Sequence, residues 1–174
     1  MPVLNIEFKA RIGDIISLEN KLKELDPVFI GEDHQVDTYF NIANGRLKLR
    51  EGNIENALIW YQREDTAGSK RSEILLYTHQ PHPVLKEILV KLHGIKIIVS
   101  KKRRIFFIGN VKFHFDRIDE LGTFIEVEAI DRDGTIGIDK LQEQCNHYAT
   151  LFNIGEQDYI ANSYSDMLLE QDKT

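Results

Sequence analysis

Residues 4–12 read Leu4-Asn5-Ile6-Glu7-Phe8-Lys9-Ala10-Arg11-Ile12, an unbroken alternation of apolar and polar side chains. Successive side chains of an extended chain point to opposite sides, so this stretch predicts a β-strand. One face carries Leu4, Ile6, Phe8, Ala10 and Ile12, and the other carries Asn5, Glu7, Lys9 and Arg11. The period changes directly afterwards. Ile15, Leu18, Leu22 and Leu25 recur three and four apart behind Asp14, the spacing of an amphipathic helix with its N-cap. Period-two runs then follow at 35–42, 46–50, 57–63, 72–78, 96–108, 111–117 and 123–130. Helical spacing returns with Leu85, Ile88, Leu89 and Leu92, and with Ile138, Leu141, Cys145, Tyr148 and Phe152; a last short helix is expected over 159–169. Asn44-Gly45 and Gly109-Asn110 have the chemistry of tight hairpins. Pro81-His82-Pro83 breaks the chain between elements. Seven or eight strands joined mainly by short turns predict an antiparallel sheet, and a sheet of that size removes its exposed edges by closing into a barrel.

Composition narrows the class. The chain has 174 residues, 42% of them apolar, enough for a sizeable core and too many for a disordered chain. Length favours a single domain over residues 1–174. The lone Cys145 excludes an internal disulfide framework and a cysteine-rich zinc site. No apolar run approaches the length of a membrane span, and the N-terminus lacks a basic segment followed by an apolar one, so a cytoplasmic protein without membrane association is expected. With 28 acidic against 22 basic residues the net charge is −6, which speaks against general nucleic-acid binding.

The placement of charge along the strands is more informative. Glu7, Lys9 and Arg11 share one face of the first strand; Arg46, Lys48 and Arg50 share a face against Leu47 and Leu49. Tyr61 pairs with Arg63, and Lys101 with Arg103. Lys112, His114 and Asp116 oppose Phe113 and Phe115, while Glu126 and Glu128 oppose Ile125 and Val127. Residues two apart lie about 6.6 Å apart on one side, so each strand projects a short ionic row. Such rows suit a sheet with one wet face. They also suit a charged barrel interior, and two features favour this second arrangement. The amphipathic helices can cover the apolar outer faces. The signs are segregated too, with Lys and Arg on the middle strands and Glu7, Asp116, Glu126 and Glu128 on the first and late ones. Arg matches phosphate oxygens with its fork, and clustered carboxylates hold a hard divalent cation such as Mg²⁺. Together they point to a metal-bound polyphosphate. No P-loop or dinucleotide fingerprint is present.

Seven segments taken in order resemble the CYTH superfamily, the triphosphate tunnel metalloenzymes. They are Asn5-Ile6-Glu7-Phe8-Lys9-Ala10-Arg11, Asp37-Thr38-Tyr39-Phe40, Gly45-Arg46-Leu47-Lys48-Leu49-Arg50 and Tyr61-Gln62-Arg63; then Lys101-Lys102-Arg103-Arg104, Phe115-Asp116, and Leu121-Gly122-Thr123-Phe124-Ile125-Glu126-Val127-Glu128. The ending Asn162-Ser163-Tyr164-Ser165-Asp166-Met167-Leu168 fits as well. Within the superfamily the chain is most similar to the CyaB-type, class IV adenylyl cyclase group. The resemblance implies an α+β, mainly β fold: an eight-stranded antiparallel closed β-barrel, or tunnel, with amphipathic helices packed outside. It implies Mg²⁺ or Mn²⁺ held by Glu7, Glu126 and Glu128 with Asp116 nearby, and catalysis through Glu7, Lys9, Glu126 and Glu128. It further implies contacts to ATP or another triphosphate from Lys9, Arg46, Lys48, Arg50, Arg63, Lys101 and Arg103; Arg11 and Lys112, on the same ionic rows, join this set. A homodimer is compatible with it. The superfamily signature is Glu-x-Glu-x-Lys, and here Asn5 replaces its first Glu with a neutral oxygen donor.

Three functions follow as expectations. The first is conversion of ATP to cyclic AMP and pyrophosphate. The alternatives are hydrolysis of inorganic or organic triphosphate, and nucleotide or polyphosphate binding without turnover, which Asn5 favours. A lipocalin-like carrier would need a greasy interior and fits poorly. His114 lies on the ionic face and could assist proton transfer. His34, His79, His82, His93 and His147 read as surface or turn residues, Trp60 as packing against a helix, and Cys145 as part of a buried helical stripe.

Overall fold

The computed structural model describes residues 3–63 and 67–174, the side chain of Arg63 excepted. Eight strands and four α-helices follow one another along the chain. They are β1 (Val3–Arg11), α1 (Ile15–Lys23), β2 (Val28–Phe40), β3 (Arg46–Glu51), β4 (Ala57–Arg63), β5 (Lys70–Thr78), α2 (Pro83–His93), β6 (Ile95–Ile108), β7 (Val111–Ile118), β8 (Gly122–Asp131), α3 (Ile138–Leu151) and α4 (Tyr164–Gln171). The strands close into a barrel in the order β1-β5-β4-β3-β2-β6-β7-β8. Every pairing is antiparallel, so the barrel expected from the strand count and the resemblance is present.

Alternation decides what each strand buries. The outward side chains of β1, β7 and β8, among them Ile6, Phe8, Ala10, Phe113, Phe115, Val127 and Ala129, form the main core with Ile15 and Leu22 of α1, Leu141, Cys145 and Tyr148 of α3, and Phe152 at the C-cap of α3. Phe8 and Phe113 are fully buried; a phenylalanine taken out of water contributes roughly 1.5–3 kcal/mol. Phe113 meets Tyr148 edge to face, with ring centroids 4.7 Å apart. A smaller outer core joins Phe40 and Leu49 to Leu89 of α2. Asp14 caps α1 by accepting the Ser17 amide at 3.0 Å.

Three expectations are corrected. The second strand starts at Val28, not residue 35. Its first half pairs with β6 from Val28 opposite Phe107 to His34 opposite Lys102, and a register shift between Phe29 and Gly31 breaks the alternation there. The last helix starts at Tyr164, because Ser163 caps it. The Ser163 hydroxyl accepts the Asp166 amide at 3.1 Å, and the Asp166 carboxylate accepts the Ser163 amide at 3.3 Å. Trp60 packs on a hairpin turn and not on a helix. Its Nε1 donates to the Asn44 carbonyl at 3.1 Å, and Gly45 (φ +73°) leaves no room for a Cβ, which would sit 2.8 Å from that nitrogen.

The inward face of one barrel end is apolar. Tyr39, Tyr61, Val99, Leu121, Phe124 and Tyr164 cluster there with Met167 and Leu168. Strands from opposite sides of the barrel meet α4 in this cluster, so α4 plugs that end. Among the described residues no helix is long and apolar enough to cross a membrane.

Candidate active site in the barrel lumen

The inward faces enclose a cavity of about 300 Å³. Glu7 and Lys9 reach it from β1, Lys48 and Arg50 from β3, Lys101 and Arg103 from β6, Lys112 and His114 from β7, and Glu126 and Glu128 from β8. The ionic rows therefore converge inward. The register orders them. Glu7 stands opposite Glu128 and Lys9 opposite Glu126; on the other flank Lys112 opposes Glu128 and His114 opposes Glu126.

Most of the cations are fixed by carboxylates set behind them. Arg50 forms a two-pronged pair with Asp37, at 2.8 Å from Nε and 2.9 Å from its second nitrogen. The same carboxylate accepts Lys101 Nζ at 2.8 Å and lies 3.1 Å from Lys48 Nζ. Burial alone would raise the Asp37 pKa, but Arg50, Lys101 and Lys48 outweigh it and hold the group well below the usual carboxylate range. Arg103 repeats the arrangement with Asp116, at 2.7 and 2.6 Å, and adds Glu126 at 3.0 Å. The Tyr164 hydroxyl donates to Asp116 at 2.7 Å, and Lys9 Nζ sits 3.9 Å from the centre of the Tyr164 ring. These forks aim cations at the cavity in one geometry, the preorganisation that a phosphate chain requires.

The carboxylate end has the opposite character. Glu7 and Glu128 face each other directly across β1 and β8, an arrangement of like charges that destabilises a sheet unless a cation relieves it. Burial, followed by Glu126 and Glu7, pushes the Glu128 carboxyl up to about 7. His114 is 1% exposed; burial, followed by the positive charges of Arg103 and Lys112, pushes its imidazole down to about 3, so the ring is neutral. Buried carboxylates beside a neutral imidazole are donor types that a divalent cation takes. Glu126 and Glu128, whose carboxylate oxygens lie within 4.8 Å of each other, could hold it, and Glu7 stands opposite Glu128 on the neighbouring strand. Asn5 is buried one turn of the pleat further along, with its Oδ1 unpartnered.

Three expected residues stand away from the cavity lining. Arg11 is exposed at the end of β1; its guanidinium donates to the Leu121 carbonyl at 2.6 Å and lies 4.8 Å from the Phe124 ring, a staple on the β7–β8 turn. Arg46 pairs with Asp166 of α4 at 2.9 Å. Asp116, expected near a metal, spends both oxygens on Arg103 and Tyr164 and is placed behind the lining. The Arg63 side chain lies outside the described residues.

Two features were not expected. Glu55, in the β3–β4 loop, reaches the cavity, where it pairs with Lys112 and accepts from Arg50 at 3.2 Å and from Gln35 at 3.0 Å. Its loop is anchored by Asp33, which accepts the amides of Ile54 and Glu55 at 2.9 Å each. The interior is also two-sided. Ala57 and Ile59 of β4 and Ile74 and Leu76 of β5 give the cavity an apolar wall across from the cations.

The family model described as the CYTH domain matches residues 4–164. The chain belongs to the CYTH domain family. A Methanocaldococcus jannaschii protein named as a candidate adenylate cyclase is 26% identical over 176 residues, covering 95% of this chain and 98% of that one. Among solved structures, a Pyrococcus horikoshii protein superposes with a TM-score of 0.78 at 22% identity, covering 93% of this chain and 98% of that chain. A candidate adenylate cyclase of Vibrio parahaemolyticus gives 0.79 at 20% identity over 95% and 98%. A Hippeastrum protein, described as a candidate adenylyl cyclase with a dominant triphosphatase activity, gives 0.60 at 13% identity over 98% and 96%. These structures share the CYTH barrel described above. The match thus takes in all eight strands and reaches Tyr164, the residue that packs into the plugged end.

Proposed function

We propose that this CYTH protein is a divalent-metal-dependent enzyme that binds an organic triphosphate, ATP first, in the lumen and converts it to cyclic AMP and pyrophosphate. The observation that carries the reading is the convergence on one cavity of a carboxylate end (Glu7, Glu126, Glu128), a cationic wall (Lys9, Lys48, Arg50, Lys101, Arg103, Lys112) and an apolar wall (Ile59, Ile74, Leu76). Each part matches one part of a metal-bound nucleotide. The cationic wall neutralises and orients the phosphates, and Arg50 and Arg103 are held to one pose by Asp37 and Asp116. The apolar wall accepts the base. A bound metal supplies Lewis-acid polarisation of phosphate oxygens. In cyclisation the ribose 3′-oxygen would attack the α-phosphorus, the bond from that phosphorus to the bridging oxygen would break to release pyrophosphate, and the hydroxyl proton would pass to solvent water.

Hydrolysis is the second reading, in which water replaces the 3′-oxygen in the same cage. The dominant triphosphatase activity ascribed to the Hippeastrum protein supports it. Incubation with Mg²⁺ or Mn²⁺ and either ATP or tripolyphosphate separates the two. Cyclic AMP with pyrophosphate supports the cyclase; orthophosphate alone replaces it with the hydrolase; tight binding without product removes both in favour of a binding module.

Two variants test the walls. Leu76→Gln, at the rim of the apolar wall, is expected to raise KM for ATP roughly tenfold, from about 1.4 kcal/mol of lost apolar contact. KM for tripolyphosphate, which has no base, should rise less; equal rises in steady-state kinetics would disprove the assignment of this wall. Glu55 competes with phosphate for Lys112 and Arg50. Glu55→Gln is therefore expected to tighten triphosphate binding roughly threefold to tenfold by titration calorimetry, and weaker binding would show that Glu55 assists the ligand.

A further inference from the structure

The strongest unexplained feature of the lumen is a histidine that makes no hydrogen bond of ordinary length, its contact with Glu126 being stretched to 3.9 Å. His114 projects inward from β7 between Lys112 and Asp116 and is 1% exposed, yet both ring nitrogens lack a hydrogen-bond partner. A neutral imidazole offers one donor and one acceptor, and buried polar groups are almost always satisfied. Leaving such a group unpaired is costly, because its water contacts are lost and not replaced. The nearest oxygens are too far to supply the missing bonds: Nδ1 is 3.9 Å from Glu126 Oε2 and 4.0 Å from Glu128 Oε1. They are nonetheless near enough to share an ion. One ligand atom from each of His114, Glu126 and Glu128 lies within 4.8 Å of the others.

We propose that His114 is a metal ligand, making the centre a mixed nitrogen–oxygen site that selects Mn²⁺ and similar transition ions over Mg²⁺. The inference rests on the reading of Glu7, Glu126 and Glu128 as a metal centre, and deepens it. Mg²⁺ takes oxygen donors and gives up its waters reluctantly, so an imidazole adds little to its binding. Transition ions gain from an imidazole, in the order of the divalent series. The single cysteine, Cys145, is on α3 in the outer core, its Sγ donating to the Ile6 carbonyl at 3.2 Å, and does not line the lumen. His114 is therefore the nitrogen donor that distinguishes this site from an all-carboxylate one.

The full-length protein loaded with Mn²⁺ alone should show nitrogen modulation in its electron spin echo. Labelling all histidines with ¹⁵N should convert the pattern. The chain has six histidines, and the other five (His34, His79, His82, His93 and His147) are not buried. A variant replacing those five and keeping His114 should retain the signal, and it leaves the lumen intact should His114→Gln fail to fold. In calorimetry, His114→Gln should lose at least tenfold in Mn²⁺ affinity, given that even outer-shell partners of a ligand are worth about 10–100-fold, while Mg²⁺ affinity changes less than threefold. Bound Mn²⁺ with no histidine modulation, or a signal that vanishes in the five-histidine variant, overturns the proposal and leaves the carboxylate centre standing. Failure of the wild-type protein to bind either ion overturns the carboxylate centre and this inference with it.

Discussion

Glu126→Gln is expected to lower metal-dependent turnover of ATP by on the order of 10²- to 10³-fold, the usual cost of removing one preorganised electrostatic contact at a phosphoryl or acyl centre. Glu126 occupies the junction of the site. It opposes Lys9 on one flank and His114 on the other, accepts from Arg103 at 3.0 Å, and belongs to the carboxylate end. Burial would raise its pKa, but Lys9, then the His114 ring and Arg103, hold it well below the usual range, so it is ionised at neutral pH. The amide keeps the shape and removes the charge. A fall in kcat at saturating Mn²⁺, with an unchanged circular dichroism spectrum, is the expected pattern. Wild-type kcat in this variant would remove Glu126 from the chemistry.

Asp37→Asn is expected to cost about 3–5 kcal/mol of stability, because removing one partner of a buried ion pair strands the other. Here Arg50 and Lys48 lose their counter-charge, while Lys101, whose ammonium burial already holds well below its ordinary pKa, can answer by giving up its proton. Arg50, Lys101 and Lys48 converge on a carboxylate that is 0% exposed. For a chain of this length the loss corresponds to a melting point roughly 6–20 °C lower. The pH dependence has a definite sign. A carboxylate whose folded pKa is depressed stabilises the fold above its unfolded value and loses that contribution as pH falls through the folded value. For Asp37 the folded value lies well below the carboxylate range, so the deficit of the variant is full at neutral pH, starts to shrink once pH falls below the unfolded carboxylate value, and is gone only in strong acid. Tripolyphosphate supplies negative charge to the same cations and should restore part of the lost melting temperature, more than it adds to the wild type. A neutral effect of the substitution in thermal denaturation would mean that the cations are not held by Asp37.

How much of this could be read from the chain depended on contrast between faces. β1, β7 and β8 put charge on one side and large apolar groups on the other, so alternation alone placed Glu7, Lys9, Lys112, Glu126 and Glu128 on a common side. β4 and β5 offer no such contrast. Ile59 and Ile74 line the cavity while their neighbours Leu58, Trp60 and Leu75 point outward; both faces are apolar, and the apolar wall was invisible. Asp37 was legible in principle, since it alternates with Gln35 and Tyr39 and pairs across the ladder with Arg50. Its role as an anchor needed the register. Glu55 had no signal, because a loop side chain has no period; its position depends on the amides that Asp33 holds. Arg11 and Arg46 sit on the right face but at strand ends, where the inward direction opens onto the β7–β8 turn and α4 instead of the cavity.

The most direct test is a crystal structure of the protein with Mn²⁺ and a non-hydrolysable ATP analogue, with anomalous data recorded at the manganese edge. The lumen account predicts an anomalous peak among Glu7, Glu126 and Glu128. The phosphates should lie against Arg50, Lys101, Arg103 and Lys112, and the base against Ile59, Ile74 and Leu76. A nucleotide bound on the outer surface, or a manganese peak away from these carboxylates with the tunnel filled only by water, would contradict it.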